Sequence, residues 1–377
     1  MRRGRVNSMF PPCPQPPDWK IDWPTLDPHP WIADLKGCPQ NPIRHAEGDV
    51  WIHVHMVCEA MVALPAWREL PENERQILFT AALLHDVAKP ACTRVEPDGA
   101  ISSRGHSWRG AVRARQILWR RDVPFAEREQ VSALVRHHLV PFFLADSEDP
   151  RRLAIEVSQT VRCDWLSILA ESDARGRTCP DPEQILNQIR LFREQAAASG
   201  CLSAPYPFAS NHARFLYFRE PTRSLDSAAP EEFACDVVLM SGLPGSGKDF
   251  WIRKHLATEE VISIDALRIE LGVAPSDPQG TVLNRARELA REHLRAGKSF
   301  VWNATNLSRH IRGDCVRLFH EHGARVRIVY VEASPERLFA QNRQRRRKVP
   351  ESVIERLLDR WEVPDQTEAH RVDWILD

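Results

Sequence analysis

Apolar and polar positions run along this chain in two different rhythms. From Glu47 to about position 200 the apolar residues return every three or four positions, the period of a helix with one buried face. That period predicts helices over 50–64, 72–87, 107–119, 125–138, 153–170 and 182–198. Asp49, Pro71-Glu72 and Pro182 stand where such helices start, as a capping carboxylate or as prolines that need no donor there. No strand rhythm appears before about position 205. Beyond about 235, short apolar runs at 237–240, 261–264, 299–302 and 326–331, with a fifth at 374–376, alternate with helical stretches. Those helices are expected over 248–256, 266–271, 279–295, 309–322, 335–347 and 351–361. Buried strands alternating with helices make a parallel sheet covered on both faces. The expected fold class is therefore two domains, an all-α helical bundle followed by an α/β unit with a parallel sheet.

The punctuation between the rhythms sets the boundaries. Residues 1–45 hold Pro11, Pro12, Pro14, Pro16 and Pro17, which exclude long helix. That segment either leads into the first domain or packs on it through Trp19, Trp23 and Trp31. The stretch 203–232 is rich in Pro, Ser and Ala without a period and is expected to link the domains 46–202 and 233–377. A length of 377 residues fits two domains. Lys plus Arg equal Asp plus Glu, 51 each, so any nucleic-acid surface must be local rather than a bulk charge. The 9 cysteines form no C-x-x-C pair, which points to reduced thiols rather than a disulfide frame or zinc ribbon. No membrane-length apolar run occurs, and Met1-Arg2-Arg3-Gly4-Arg5 is followed by no signal-like core, so a cytoplasmic location is expected.

The sharpest chemical signal follows the first apolar strand of the second half. Gly242-Leu243-Pro244-Gly245-Ser246-Gly247-Lys248 fits G-x-x-x-x-G-K. Glycines let backbone N–H groups turn inward around phosphate oxygens, and the next helix presents its positive end. Lys248 adds a point charge at the β/γ-phosphates. A Ser or Thr that ligates Mg²⁺ normally comes next; here it is Asp249, a carboxylate that can hold Mg²⁺ directly or through water but brings negative charge near the phosphates. Asp265 ends the 261–264 run at the sheet edge where ligands of parallel sheets gather, and could accept a proton there. Arg268, one turn on, could hold a phosphate of the acceptor. Asn303, Thr305 and Asn306 end the next strand and suit either the acceptor or loop capping. Arg343-Gln344-Arg345-Arg346-Arg347-Lys348 is a basic run of the kind that a phosphoryl-transfer lid needs.

In the helical half, His53, His85-Asp86, His106, His137-His138 and Asp173 each lie in or beside an expected helix. Neutral imidazoles and carboxylates are a ligand set for divalent ions, which lower the pKa of water. A His-Asp doublet at the end of an apolar helix needs compensation for its buried charge.

These residues, in their contexts Glu47-Gly48-Asp49-Val50-Trp51-Ile52-His53, Leu84-His85-Asp86-Val87-Ala88-Lys89-Pro90 and Glu171-Ser172-Asp173-Ala174-Arg175-Gly176-Arg177, resemble the HD phosphohydrolase family. They look most like the HD domains attached to bacterial tRNA nucleotidyltransferases. The resemblance implies metal ligands at His53, His85, Asp86 and Asp173, with His106 and His137 or His138 serving a second metal or phosphate. It implies one or two divalent transition ions (Mn, Ni, Co, Zn or Fe), with Lys89, Arg175 or Arg177 screening phosphate oxygens.

The second half resembles the polynucleotide 5′-hydroxyl kinases, through the glycine loop, Asp265-Ala266-Leu267-Arg268, Asn303-Ala304-Thr305-Asn306-Leu307 and Asn342-Arg343-Gln344-Arg345 with Val349-Pro350. That resemblance implies ATP or another NTP with Mg²⁺, Lys248 on its phosphates, Asp265 as general base and Arg268 on the acceptor's phosphate. Arg345 is implied as the lid arginine, with Arg343 and Arg346 as neighbouring candidates. The order of the two units resembles the bacterial bifunctional RNA-repair proteins called HD-Pnk. Their HD unit clears 2′,3′-cyclic or 2′-phosphate ends, their kinase phosphorylates 5′-hydroxyl ends, and a ligase can act next. A small-metabolite kinase fused to a nucleotidase would share the loop and the His/Asp set. So would a nucleotide-responsive regulator without turnover.

Overall fold

The computed structural model describes residues 11–274, 277–345 and 347–376, and the chain divides after Pro207 into two compact units. The first is helical: α1 Val50–Ala63, α2 Glu72–Leu84, α3 His106–Trp119, α4 Phe125–His137, α5 Pro150–Ser158, α6 Cys163–Arg175 and α7 Pro182–Ala198. Each start has a local cause. Asp49 caps α1, its carboxylate accepting from the Ile52 N–H at 2.9 Å. Pro71 precedes α2, and Glu72 and Glu74 sit against its positive end. Every residue of α2 from Ile77 to Leu84 is buried, so the helix is a core rod whose C-terminal end delivers His85 and Asp86 to the interior.

The period over 153–170 predicts one helix, whereas the structure has two, α5 and α6, separated by Gln159–Arg162. At the break the Ser158 hydroxyl donates to the Ile155 carbonyl at 2.7 Å and the Thr160 hydroxyl to Val157 at 3.0 Å. Such local bonds compete with helix continuation. A short hairpin, β1 Arg94–Val95 with β2 Ile101–Ser102, also interrupts the helical unit. Gly99 at φ +81° makes its turn, and two-residue strands are too short to register as a rhythm. Residues 11–45 lie on the helices: Trp19 meets Trp67 edge-on at 5.7 Å, Trp23 meets Trp51 at 5.7 Å, and Trp31 and Ile32 are buried.

The second unit holds β3 Cys235–Ser241, β4 Glu260–Ser263, β5 Phe300–Asn303, β6 Ala324–Val331 and β7 Arg371–Ile375, all parallel in the order β4-β5-β3-β6-β7. Central β3 pairs Leu239 with Trp302 on one side and Ile328 on the other. The strand expected to be buried at 261–264 is in fact an edge, and Val261 is 42% exposed. Within 203–232 lies a helix, α8 Asn211–Arg219, capped by Ser210, with Phe215 fully buried against Val237 and Leu239 of the sheet core. It is flanked by Pro and Ser runs that hide its period. The connecting helices are α9 Lys248–His255, α10 Ile264–Glu270, α11 Gly280–Arg295, α12 Arg309–His320, α13 Pro335–Gln344 and α14 Glu351–Leu358. Among the described residues no helix is long and apolar enough to cross a membrane.

A buried ion pair ties the sheet's ligand edge together. Arg312 grips Glu368 at 2.7 and 2.8 Å and donates to the carbonyls of Asn306 at 3.1 Å and Glu362 at 2.7 Å. Asn306, at φ +44°, donates to the Met240 carbonyl at 2.7 Å and so fixes the end of β3. Arg312→Ala leaves Glu368 buried without its partner. A loss of about 3–5 kcal/mol is expected, read as a lower denaturation midpoint of the full chain, and a midpoint within error of wild type contradicts this.

Candidate functional site

Five helix ends in the first unit point their polar side chains to one buried centre. His53 comes from the first turn of α1, His85 and Asp86 from the end of α2, His106 from the start of α3, His138 from the end of α4, and Asp173 from the last turn of α6. All but His106 are at most 1% exposed, and His106 is 9% exposed. Nε2 of His53 lies 3.3 Å from Nε2 of His85 and 3.2 Å from Asp173 Oδ1. His85 Nε2 is 3.2 Å from Asp86 Oδ2. Asp86 Oδ1 is 3.3 Å from His106 Nε2, which is 3.3 Å from His138 Nε2. Asp86 thus belongs to two trios, His53–His85–Asp86 and Asp86–His106–His138.

The tautomers follow from the backbone. Nδ1 of His85, His106 and His138 faces the carbonyl of Ala82, Ser103 and Val135 at 2.7, 2.8 and 2.8 Å, and Nδ1 of His53 faces Gly176 at 3.1 Å. A carbonyl accepts only from N–H, so each Nδ1 carries the hydrogen and each Nε2 turns a lone pair to the centre. Lone pairs 3.3 Å apart repel unless something positive sits between them. Asp86 Oδ1 and Asp173 Oδ2 are buried without hydrogen-bond partners. The donor set therefore fits one or two divalent transition ions.

The charge balance agrees. Burial pushes the Asp86 carboxyl up, but His85 and Lys89 outweigh it and hold it well below the usual range. Burial acts likewise on Asp173 and is outweighed by Arg177 and His53. Burial pushes His138 down to about 3, and His106 downward too, so both imidazoles are neutral. His85 is also pushed down by burial, but Asp86 beside it makes the net shift upward: the centre attracts positive charge. Lys89 is buried, its ammonium 2.7 Å from Asp86 Oδ2 and 2.6 Å from Gln40 Oε1. Arg177 donates to Asp173 at 2.7 Å, while Arg175 pairs with Glu171 on the surface.

Of the doublet His137-His138, the structure brings His138 to the centre. His137 points elsewhere, its Nε2 3.2 Å from the Thr160 hydroxyl, because successive residues at a helix end face directions about 100° apart. Sequence reasoning missed His45 and the role of Glu47. Glu47 Oε1 lies 2.8 Å from His45 Nδ1 and 2.9 Å from His53 Nδ1. The only available signal was their place just upstream of His53, in a segment without period.

In the second unit the loop after β3 closes tightly. A Cβ at Gly242 would lie 2.3 Å from the Val331 carbonyl, and Gly247 opens α9 at φ +102°. Glycine is required at both. Pro244 and Ser246 are buried, the Ser246 hydroxyl without a partner, and Gly245 abuts α13. Lys248 folds back, donating to the carbonyls of Gly242 at 2.8 Å and Leu243 at 2.9 Å. Asp249, exposed, accepts from Asn303 at 2.8 Å, which fits a carboxylate held ready for Mg²⁺. Thr305 contributes its carbonyl to the Gly242 N–H at 2.9 Å, and the buried Asn306 side chain serves the Met240 carbonyl rather than an acceptor.

Asp265 is the second residue of α10, capped not by itself but by Ser263. Its carboxylate is 69% exposed, pairs with Arg268, and lies 3.9 Å from Arg345 Nη2. Arg268 is also held by Gln279 at 2.8 Å. Helix α13 ends at Gln344, earlier than its period implies, because Arg345 is extended at ψ 140°. Asn342 then donates to the Val349 carbonyl at 2.7 Å and accepts from its N–H at 3.1 Å, closing the basic run into a loop. This brings Arg345 to Asp265. Arg343 lies 3.6 Å from Glu351 instead, and Arg346 lies outside the described residues.

Comparison with known proteins matches two stretches of the chain to two families. Residues 51–169 match the HD domain and residues 237–364 match an AAA domain family. The chain thus carries a helical HD domain and a P-loop kinase-like domain on a parallel sheet. An A-adding tRNA nucleotidyltransferase of Deinococcus radiodurans is 34% identical over 137 residues, 36% of this chain and 31% of that protein. A bifunctional uridylyltransferase/uridylyl-removing enzyme of Ruegeria pomeroyi is 36% identical over 108 residues, 27% of this chain and 11% of that protein. The chain spans less than a third of the length of these relatives. A solved sugar kinase from Janibacter shares 21% identity at a TM-score of 0.30, covering 38% of this chain and 85% of that one.

Lys248 gives a pH test. Burial pushes its ammonium down to about 8, with Arg345 adding to the effect. Bound phosphates favour the charged form, so above about 8 binding must take up a proton. Nucleotide affinity should fall toward tenfold per pH unit as pH rises past that point, by calorimetry. In Lys248→Met it should be weak and flat over the same window. A wild-type affinity that is flat or rises there contradicts the assignment.

Proposed function

We propose that this chain heals broken RNA ends. The kinase-like unit moves the γ-phosphoryl of ATP or another NTP to a 5′-hydroxyl, and the HD unit removes 2′-phosphate or 2′,3′-cyclic phosphate. The observation that carries the reading is the pairing, in one chain, of a buried His/Asp donor set with a phosphate loop faced by Asp265 and Arg345. The two products are the ends that a downstream RNA ligase joins.

In the kinase, Asp265 takes the proton of the 5′-hydroxyl as its oxygen attacks the γ-phosphorus and the bond to the β-phosphate oxygen breaks. Arg268 holds that carboxylate and is placed for the acceptor's own phosphate. Lys248 and Arg345 screen the transferring group, and Mg²⁺ would add to that screening at Asp249. An exposed Asp265 beside a basic loop suits a polymer better than an enclosed small metabolite. In the HD unit, divalent ions held by His53, His85, Asp86, Asp173, His106 and His138 would lower the pKa of water and neutralise phosphate charge. Lys89 and Arg177 hold the two carboxylates in place.

An RNA with a 5′-hydroxyl and a 2′,3′-cyclic phosphate, incubated with ATP, Mg²⁺ and Mn²⁺, Ni²⁺ or Co²⁺, tests both halves. Asp265→Asn should cut 5′ phosphorylation by about 10²–10⁴-fold and spare 3′-end processing. His85→Ala with Asp86→Ala should do the reverse. Equal activity of either variant at its own end overturns that half. Preferred phosphorylation of a free nucleoside over the oligonucleotide would favour a metabolite kinase.

A further inference from the structure

We propose that Glu47 is a positioning residue for the metal centre, an anionic backstop that fixes and strengthens His53 as a ligand. The inference rests on the metal reading of the HD unit given above.

The four inward-facing imidazoles are not equivalent. His85, His106 and His138 each have a neutral carbonyl against Nδ1. His53 has the Gly176 carbonyl and, closer, the Glu47 carboxylate, at 3.1 and 2.9 Å. An anion accepting the Nδ1–H holds the ring in plane and pushes electron density toward the Nε2 lone pair. Among these four, His53 is therefore the best donor.

Glu47 is built for the task. Its side chain is only 2% exposed, yet it has three donors: His45 Nδ1 at 2.8 Å, His53 Nδ1 at 2.9 Å and the Thr178 N–H at 2.8 Å. The Thr178 carbonyl in turn accepts from Ala46 N at 2.9 Å, so the segment carrying Glu47 is tied twice to Thr178. His45, Glu47 and His53 could themselves be read as an ion site. That would strip the hydrogen from His53 Nδ1 while its Nε2 serves the main centre, leaving both ring nitrogens unprotonated. The carbonyl at 3.1 Å argues for the hydrogen.

The test is Co²⁺ binding to the chelator-stripped full chain, followed by visible absorption and by competition with a chelating dye. Glu47→Gln keeps the shape and removes the charge. It should weaken Co²⁺ at one site by about 10–100-fold, while the ion-free chain still unfolds cooperatively at a somewhat lower melting temperature, because the Gln amide turns an N–H toward one of the donors that the carboxylate accepted. Glu171→Gln, on the surface, should bind as wild type. Unchanged affinity in Glu47→Gln overturns the proposal while the metal reading stands. A wild-type chain that takes up no Co²⁺ overturns both. A second measurement needs no variant: NMR of the Zn²⁺-loaded chain should show a downfield proton on His53 Nδ1. A His53 without it overturns the backstop role.

Discussion

Imidazole lone pairs turned toward one another inside a buried helical core are the constraint on which the first unit depends. Burial there is nearly complete, and each Nδ1 is committed, to a carbonyl in His85, His106 and His138 and to the Gly176 carbonyl and Glu47 carboxylate in His53, so the donors cannot turn away. A chain that only needed stability would fill that space with apolar side chains. Polar groups so placed are tolerable when a cation joins them. The rest of the unit follows: a fully buried second half of α2 to deliver His85-Asp86, and helices that start or stop at the centre. Lys89 and Arg177 each neutralise one carboxylate.

The second unit solves a different problem, holding a polyanion rather than a cation. Its donors are backbone N–H groups and a lysine at the carboxyl edge of a parallel sheet. Loop closeness is enforced by Val331 across from Gly242, and the loop's far side by Asn306 and Arg312. Lys248 donates to the carbonyls of Gly242 and Leu243 in its own loop. Asp249 stands where the usual hydroxyl residue comes, and by accepting from Asn303 it joins the loop to β5.

Much of this was legible from residue order because it depends on helix and strand ends. His85-Asp86 closes an apolar run, and Lys248 follows a strand and three glycines. What stayed hidden turns on angle rather than order. Neighbouring His137 and His138 differ only by a helical rotation, which sequence does not register without a fixed end for α4. Arg343 and Arg345 are separated by where α13 stops, and that is decided by Asn342 clasping Val349. The role of Glu47 was illegible for another reason: it lies in a loop without a period before α1, and its partner Thr178 comes from a distant segment. Helix α8 escaped because nine residues between Pro- and Ser-rich runs give too little pattern.

Anomalous diffraction from crystals of the full chain soaked in Co²⁺, collected at the cobalt edge, tests the central claim most directly. One or two peaks are expected beside Asp86, about 2.1 Å from the Nε2 atoms of His53 and His85 or of His106 and His138. Density with no peak within bonding distance of any of these nitrogens would contradict the account.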